Sequence, residues 1–230
     1  MTRLPLRLAG LVAAILAPAA AASAHPVVVE LFESQGCSSC PPANANLARI
    51  AARRDVIALN FAVTYWDGPG WKDTFGSRAF TARQWDYAHA FHRAQVFTPE
   101  IVVDGRRDGV GVNPAEFARL VGHGASAPAA PAVRLANGAV SIAAGPKPAR
   151  PADVWLARYD PRTQQVSIQG GENGGKTLPH KNIVRQLVRL GGWDGAAETL
   201  RPPRPREPGL VDAVLVQLPN GGAILAAAKG

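Results

Sequence analysis

The sequence predicts a mixed α/β protein whose first half alternates strands and helices and whose second half is mostly β-structure. From Val27 to about Val121, β-branched apolar runs alternate with segments of helical spacing, which is typical of an α/β layer structure. The segment 124–131, GASAPAAP, has the composition of a linker. Beyond it the helical pattern fades and turn pairs separate short apolar runs. We therefore expect an α/β domain at 25–123 and a small all-β domain at 132–230.

The first 24 residues have the three parts of a secretory signal peptide. Arg3 and Arg7 come first, an apolar run follows from Leu8 to Leu16, and small residues end the segment at Ala24. The run is too short to span a bilayer as a helix. Cleavage after Ala24 predicts a periplasmic or secreted protein without a membrane span, in an oxidising compartment.

The first half contains the stronger secondary-structure signals. VVVELF and VIALNFAVTYW are typical of buried strands, and EIVVDG predicts a strand with GVGV as its hairpin partner. Apolar residues recur at helical spacing in ANLARIAARR and in SRAFTARQWDYAHAFHRA, where Phe80, Gln84, Tyr87 and Phe91 share one face. A third helix is predicted at NPAEFARLVG, capped by Asn113 and with Pro114 at its first position.

The second half predicts hairpins. Asn137-Gly138 and Asn220-Gly221 each lie between apolar runs, and Asp160-Pro161 divides a third apolar segment. KNIVRQLVRLGGW is ambiguous between a strand and a helix, and the predicted hairpins around it favour a strand. GGENGGKT, residues 170–177, matches a phosphate-loop pattern, but Pro179 opposes the helix that such a loop requires. We therefore expect a glycine-rich turn there.

The net charge of +8 does not indicate a nucleic-acid-binding protein. The lysines and arginines are scattered, and removing Arg3 and Arg7 with the signal peptide lowers the charge by two. Scattered positive charge supports solubility and non-specific attraction rather than a defined binding surface.

The two cysteines, Cys37 and Cys40, lie in ESQGCSSCPPAN, between a predicted strand and a predicted helix. Pro41 and Pro42 suit the first turn of a helix. Cys37 is then expected at the positive end of the helix dipole, which favours the thiolate that attacks disulfides. Cys40 is expected one turn inside the helix, as the resolving thiol.

A CxxC motif between a strand and a helix predicts a thioredoxin-like domain. In that superfamily a proline, usually cis, precedes a strand and faces the CxxC sulfur, and Thr98-Pro99 before EIVVDG has this arrangement. Glu30, in the strand before the cysteines, is costly to bury unpaired, and burial would raise its pKa. It is the predicted proton shuttle, and an exposed strand face is the alternative.

Four stretches together resemble the DUF1223 family: VVVELFESQGCSSCPPANANLARIA, YWDGPGWKDTFGSRAFTARQWDYA, VFTPEIVVDGRRDGVG and ENGGKTLPHKNIVR. The resemblance implies an exported bacterial protein with a thioredoxin-like fold, an additional β-rich part and no established activity. In the family the second strand usually carries a His and an Asp where this chain has Ala62 and Thr64. Glu172, His180 and Asn182, in the last stretch, are expected to form a turn or contact the first domain.

The leading functional hypothesis is thiol–disulfide exchange with protein or small-molecule thiols, without a cofactor. The predicted catalytic residues are Cys37, Cys40, Glu30 and Pro99, and the predicted substrate groove is Thr98, Trp66, Asp67 and Trp71. Packing of both tryptophans onto the core is equally compatible with the sequence. The alternatives are an inert disulfide, a partner-binding scaffold, or a protein that handles copper or zinc with His180, His92 or His25 beside the cysteines.

Overall fold

The computed structural model describes residues 25–68, 70–123, 130–204 and 207–230. The predicted signal peptide and most of the predicted linker at 124–131 lie outside these residues. Across the described segments the chain forms three helices and eleven strands. None of these helices is long and apolar enough to cross a membrane.

The helices are α1 (Pro41–Ile50), α2 (Arg78–Ala90) and α3 (Pro114–Gly122). The strands are β1 (Val27–Glu33), β2 (Val56–Ala62), β3 (Glu100–Val103), β4 (Arg107–Gly109), β5 (Val133–Ala136), β6 (Ala139–Ile142), β7 (Ala152–Ser167), β8 (Thr177–Trp193), β9 (Glu198–Leu200), β10 (Val211–Gln217) and β11 (Ile224–Lys229).

Local sequence signals explain where the helices begin. Pro41 and Pro42 occupy the first positions of α1, and Ser77 caps α2 by accepting a hydrogen bond from the backbone two residues on. The predicted cap of α3 is confirmed, because the Asn113 side chain accepts from two backbone N–H groups and Pro114 follows it.

One eight-stranded sheet runs through both halves of the chain, in the order β11-β10-β7-β8-β2-β1-β3-β4. Strand β8 joins the first half by pairing in parallel with β2 at Asn60 and Ile183. Strands β5, β6 and β9 form a separate three-stranded sheet. The protein is therefore mixed α/β, and a separate all-β C-terminal domain is not confirmed, because four strands of the second half extend the sheet of the first.

Two of the predicted hairpins are confirmed. The predicted turn at Asp160-Pro161 and the predicted partner of β3 differ from the structure. The Asn137-Gly138 and Asn220-Gly221 pairs have positive φ angles and connect antiparallel strands. The predicted turn at Asp160-Pro161 is instead a register shift inside β7, where the Asp160 carboxylate accepts hydrogen bonds from residues that follow it. The partner of β3 is Arg107–Gly109, so only Gly109, the first residue of the predicted GVGV partner, pairs with it.

Strand β1 alternates between two cores. Val28 and Phe32 pack in a cluster with α2 residues such as Tyr87, whereas Leu31 packs with Leu47 of α1. Successive side chains of a strand point to opposite faces of the sheet. Two glutamates of β1, at positions 30 and 33, are therefore directed to opposite faces, and only the second faces the α1 side.

Candidate redox site at the end of strand β1

Cys37 and Cys40 form a disulfide in the loop between β1 and α1, with their Cα atoms 5.5 Å apart. The expectation that Cys40 lies one turn inside the helix is wrong, because Cys40 is the N-cap residue of α1. Pro41 and Pro42 then remove two of the backbone N–H groups that a helix start normally presents. The helix N-terminus consequently offers a thiolate fewer hydrogen-bond donors than the sequence suggested.

A loop from the second half of the chain covers the disulfide. This cover loop is Gly170–Gly175, and its Asn173 is completely buried. The Nδ2 group of Asn173 donates to the carbonyl oxygens of Gln35, at 3.0 Å, and Cys37, at 2.8 Å. Cys37 itself is completely buried. The first cysteine of the motif is therefore held beneath the cover loop, which sequence analysis did not predict.

Glu172 fixes the outer edge of the cover loop. Its carboxylate accepts hydrogen bonds from the backbone N–H of Ser38, at 3.0 Å, and from the Ser38 hydroxyl, at 2.7 Å. These hydrogen bonds hold the pKa of Glu172 below its ordinary value. Gly171 has a φ of +72°, and a Cβ atom there would lie 3.1 Å from the Gly36 Cα atom. The glycines of GGENGGKT thus permit close approach to the cysteine loop, and no helix follows them.

Three buried titratable side chains, Glu33, Asp73 and His180, form a cluster, and two of them, Glu33 and His180, line a cavity together with Cys40. The Nδ1 atom of His180 is 2.9 Å from Oε1 of Glu33. Burial lowers the pKa of His180, but the charge and hydrogen bond of Glu33 and the charge of Asp73 together raise it above its ordinary value. Burial and the Glu33 charge raise the pKa of Asp73 to about 6. The cluster therefore contains groups that can exchange protons near neutral pH.

Glu30 lies on the other side of the sheet from α1. Its carboxylate forms a buried ion pair with Arg83, with Nε 2.8 Å from Oε1, and also accepts from the Tyr87 hydroxyl. Gln217 of β10 accepts a further hydrogen bond from the Arg83 guanidinium. The alternative, an exposed strand face at Glu30, is therefore not found. Glu30 is buried, as the proton-shuttle hypothesis required, but its partners belong to α2, on the side of the sheet that faces away from α1 and the cysteines.

Only some of the predicted groove residues lie close together. The Trp66 indole N–H donates to Oγ1 of Thr98 at 2.8 Å, and the Thr98-Pro99 peptide bond is cis. The Trp66 side chain also packs near Gly36, so this group lies close to the cysteine loop. Asp67 instead accepts from a backbone N–H in its own loop.

Trp71 lies on the cover-loop side of the site, because a Cβ atom on Gly170 would come 3.2 Å from the Trp71 Cβ atom. Its indole Nε1 atom is buried without a hydrogen-bond partner among the residues described. Trp71 therefore contacts the cover loop without the local hydrogen-bond partner, among the residues described, that the packing alternative expected. Trp66 packs against the core and also bridges Thr98 and the cysteine loop.

The residues missed by sequence reasoning are Glu33 and Asn173, whereas His180 was expected to form a turn or contact the first half and does contact Glu33. Alternation along β1 could have identified Glu33, which lies two residues beyond the buried Leu31. The expected contacts of the ENGGKTLPHKNIVR stretch are confirmed, because Asn182 also donates to the Ala58 carbonyl of β2. Within the described ranges no group of three or more His, Cys, Asp or Glu side chains is arranged to hold a metal ion.

The fold and the site together define a class: a mixed α/β protein with a buried CxxC disulfide at a strand–helix junction, covered by its own C-terminal half. The chain belongs to the DUF1223 family, a protein family of unknown function, whose model matches residues 28–217. The resemblance found in the sequence is thus confirmed. No curated protein matches the chain.

Two solved structures are similar over 90% of this chain. The first is a crystal structure of a protein from Agrobacterium tumefaciens, with 29% identity, a TM-score of 0.68 and coverage of 94% of that chain. The second is HBP35 of Porphyromonas gingivalis, with 15% identity, a TM-score of 0.59 and 75% coverage of that chain. At this lower identity the second likeness concerns the fold alone.

Proposed function

We propose that the protein is an exported thiol–disulfide exchange protein with a thioredoxin-like first half, and that Cys37 and Cys40 are its redox pair. One observation carries the proposal: the only two cysteines form a disulfide at the junction of a buried strand and a helix, with a proton-exchanging cluster beside it. Groups with shifted pKa values are concentrated at functional sites, and this supports exchange over a purely structural disulfide.

Glu33 and His180 are better placed than Glu30 to exchange protons with the two cysteines. Glu33 and His180 line one cavity together with Cys40, whereas Glu30 is engaged by Arg83. A protonated His180 next to Cys40 stabilises the Cys40 thiolate, and Glu33 keeps that imidazole available for protonation. We therefore assign the proton-transfer role to the Glu33–His180 pair in place of the acid predicted from the sequence.

The redox potential tests the proposal. The oxidised protein is equilibrated in a series of glutathione buffers, and the fraction of free thiol is read by maleimide trapping. We expect a potential between about −120 and −270 mV, the range of thiol–disulfide oxidoreductases. Cys37→Ser and Cys40→Ser variants are the controls and should lose the transition of the intramolecular disulfide, since a lone cysteine can form only a mixed disulfide with glutathione. A potential below about −300 mV would identify an inert structural disulfide and contradict the proposal.

The role of His180 has its own test, made in a Cys37→Ser background so that Cys40 is the single thiol. The rate of Cys40 alkylation by iodoacetamide is measured against pH. We expect an inflection below about 8.5, the pKa of an unperturbed thiol, and a shift back towards that value when His180→Gln is added. The exposed His89→Gln change on α2 is the matched control. Identical profiles with and without His180 would remove it from the mechanism.

A further inference from the structure

Cys40, unlike Cys37, borders a cavity. The cavity has a volume of about 120 Å³ and lies between α1 and the first residues of β8. Its rim includes the exposed residues Ala45 and Pro179, and its floor includes the buried residues Cys40 and His180. The cavity therefore connects the solvent with the second cysteine.

The size and lining of the cavity restrict what can enter. A volume of about 120 Å³ is well below the roughly 300–1,000 Å³ of sites that hold drug-sized ligands. Small apolar side chains such as Ala48 and Leu178 form the walls, while Glu33 and His180 supply polar groups deeper in. Oε2 of Glu33 is buried and has no hydrogen-bond partner among the described residues. These features suit a small molecule with a short apolar body and an exchangeable proton.

The other sulfur is closed to large reactants. The cover loop lies over Cys37, held by Asn173 at the Cys37 carbonyl and by Glu172 at Ser38. Thioredoxin-type exchange with a folded or unfolded protein requires the attacked sulfur to be accessible. Both cysteines are buried, with Cys37 0% and Cys40 1% exposed, and only Cys40 lines the cavity, so the cavity is the remaining approach to the disulfide among the residues described.

We propose that the substrates are low-molecular-weight thiols and their disulfides, and that they react first at Cys40. This inference rests on the proposed exchange function and reverses the order predicted from the sequence. A thiolate RS⁻ attacks Sγ of Cys40, the Cys37–Cys40 bond breaks, and its electron pair leaves with Sγ of Cys37. The Ser39 hydroxyl, with its oxygen 3.4 Å from Sγ of Cys37, can donate a hydrogen bond to the leaving thiolate.

The second half of the reaction releases the product. Another RS⁻ attacks the R sulfur of the mixed disulfide, RSSR leaves, and the electron pair passes to Sγ of Cys40. His180 lies in the same cavity and can supply a proton to that thiolate. In sum, two RSH are oxidised to RSSR and the protein disulfide is reduced to two thiols, and the reverse sequence reduces RSSR.

The test compares two thiols that differ in size but not in chemistry: 2-mercaptoethanol and the same thiol group attached to a large polyethylene glycol. Reduction of the full-length oxidised protein is quenched with acid at intervals. We expect 2-mercaptoethanol to react at least about 100-fold faster, since exchange rates depend on access to the attacked sulfur. Peptide mass spectrometry of the first intermediate should place the small thiol on Cys40.

A cavity-filling variant gives the second measurement. Ala48→Leu should slow 2-mercaptoethanol by at least about 10-fold through blocked access, whereas Ala52→Leu, exposed beyond the end of α1, should not. Equal rates for the two thiols, or a mixed disulfide on Cys37, would overturn the inference while leaving exchange intact. Resistance to every thiol, dithiothreitol included, would instead overturn the proposed function.

Discussion

Replacing Arg83 with leucine should lower the free energy of unfolding by about 3–5 kcal/mol, because it leaves the Glu30 carboxylate buried without its counter-charge. Both side chains of the pair are almost inaccessible to solvent. Burial lowers the pKa of Arg83, but the charge of Glu30 raises it by more. The net pKa is above its ordinary value, so the guanidinium stays cationic. Urea denaturation at neutral pH measures the loss.

The matched control for that experiment is the double replacement Glu30→Met and Arg83→Met. Removing both charges leaves no unpaired charge in the interior. Apolar side chains of similar volume often replace buried ion pairs at little cost in stability. We therefore expect the double variant to recover most of the stability lost in Arg83→Leu. Tyr87 would keep the hydrogen bond that it accepts from Gln217. A single variant within about 1 kcal/mol of the parent protein would show that the pair contributes little.

Glu100→Gln should stabilise the protein by about 3 kcal/mol at pH 8 and leave it unchanged at pH 4. Burial raises the pKa of Glu100 from 4.5 to about 7, and the charge of Asp108 adds to this, against the lowering effect of the Gln84 hydrogen bond. One pKa unit corresponds to about 1.4 kcal/mol, so a rise of roughly 2.5 units gives the expected magnitude.

The sign follows from proton binding. A carboxyl group with a raised pKa binds its proton more tightly in the folded state than in the unfolded one. The parent protein therefore loses stability as the pH rises from about 4.5 to about 7, and the full penalty remains above that range. Glutamine carries no charge at either pH. Urea denaturation at both pH values measures the difference.

The exposed Glu198→Gln change is the control for Glu100, because its carboxylate lies on the surface. It should alter stability by less than about 0.5 kcal/mol at either pH. An equal effect of Glu100→Gln at pH 4 and pH 8 would contradict a raised pKa at this position.

The second half of the chain completes the site of the first half. His180 reaches Glu33, Asn173 reaches the Cys37 carbonyl, and Glu172 reaches Ser38. These contacts join residues more than 130 positions apart in sequence. A truncated chain that ended at the predicted linker would therefore lack the cover loop and the histidine of the proton-exchanging cluster.

The sequence alone predicted the local structure around the cysteines. A β-branched run defines β1, paired prolines mark the start of α1, Asn113 caps α3, and Asn-Gly pairs close two hairpins. Each of these features depends on the backbone preferences of a few neighbouring residues, which is why they are visible in a single sequence. The family was also recognisable from four short stretches.

Only the tertiary structure decided which acid of β1 lies near Cys40 and what covers the cysteine loop. Glu30 and Glu33 are both acidic residues of one strand, and their partners differ because they face opposite sides of the sheet. The placement of His180 depends on the parallel pairing of β8 with β2, a contact between distant residues that local preferences do not encode. The same long-range packing brings Asn173 over Cys37 and leaves Cys40 at the cavity.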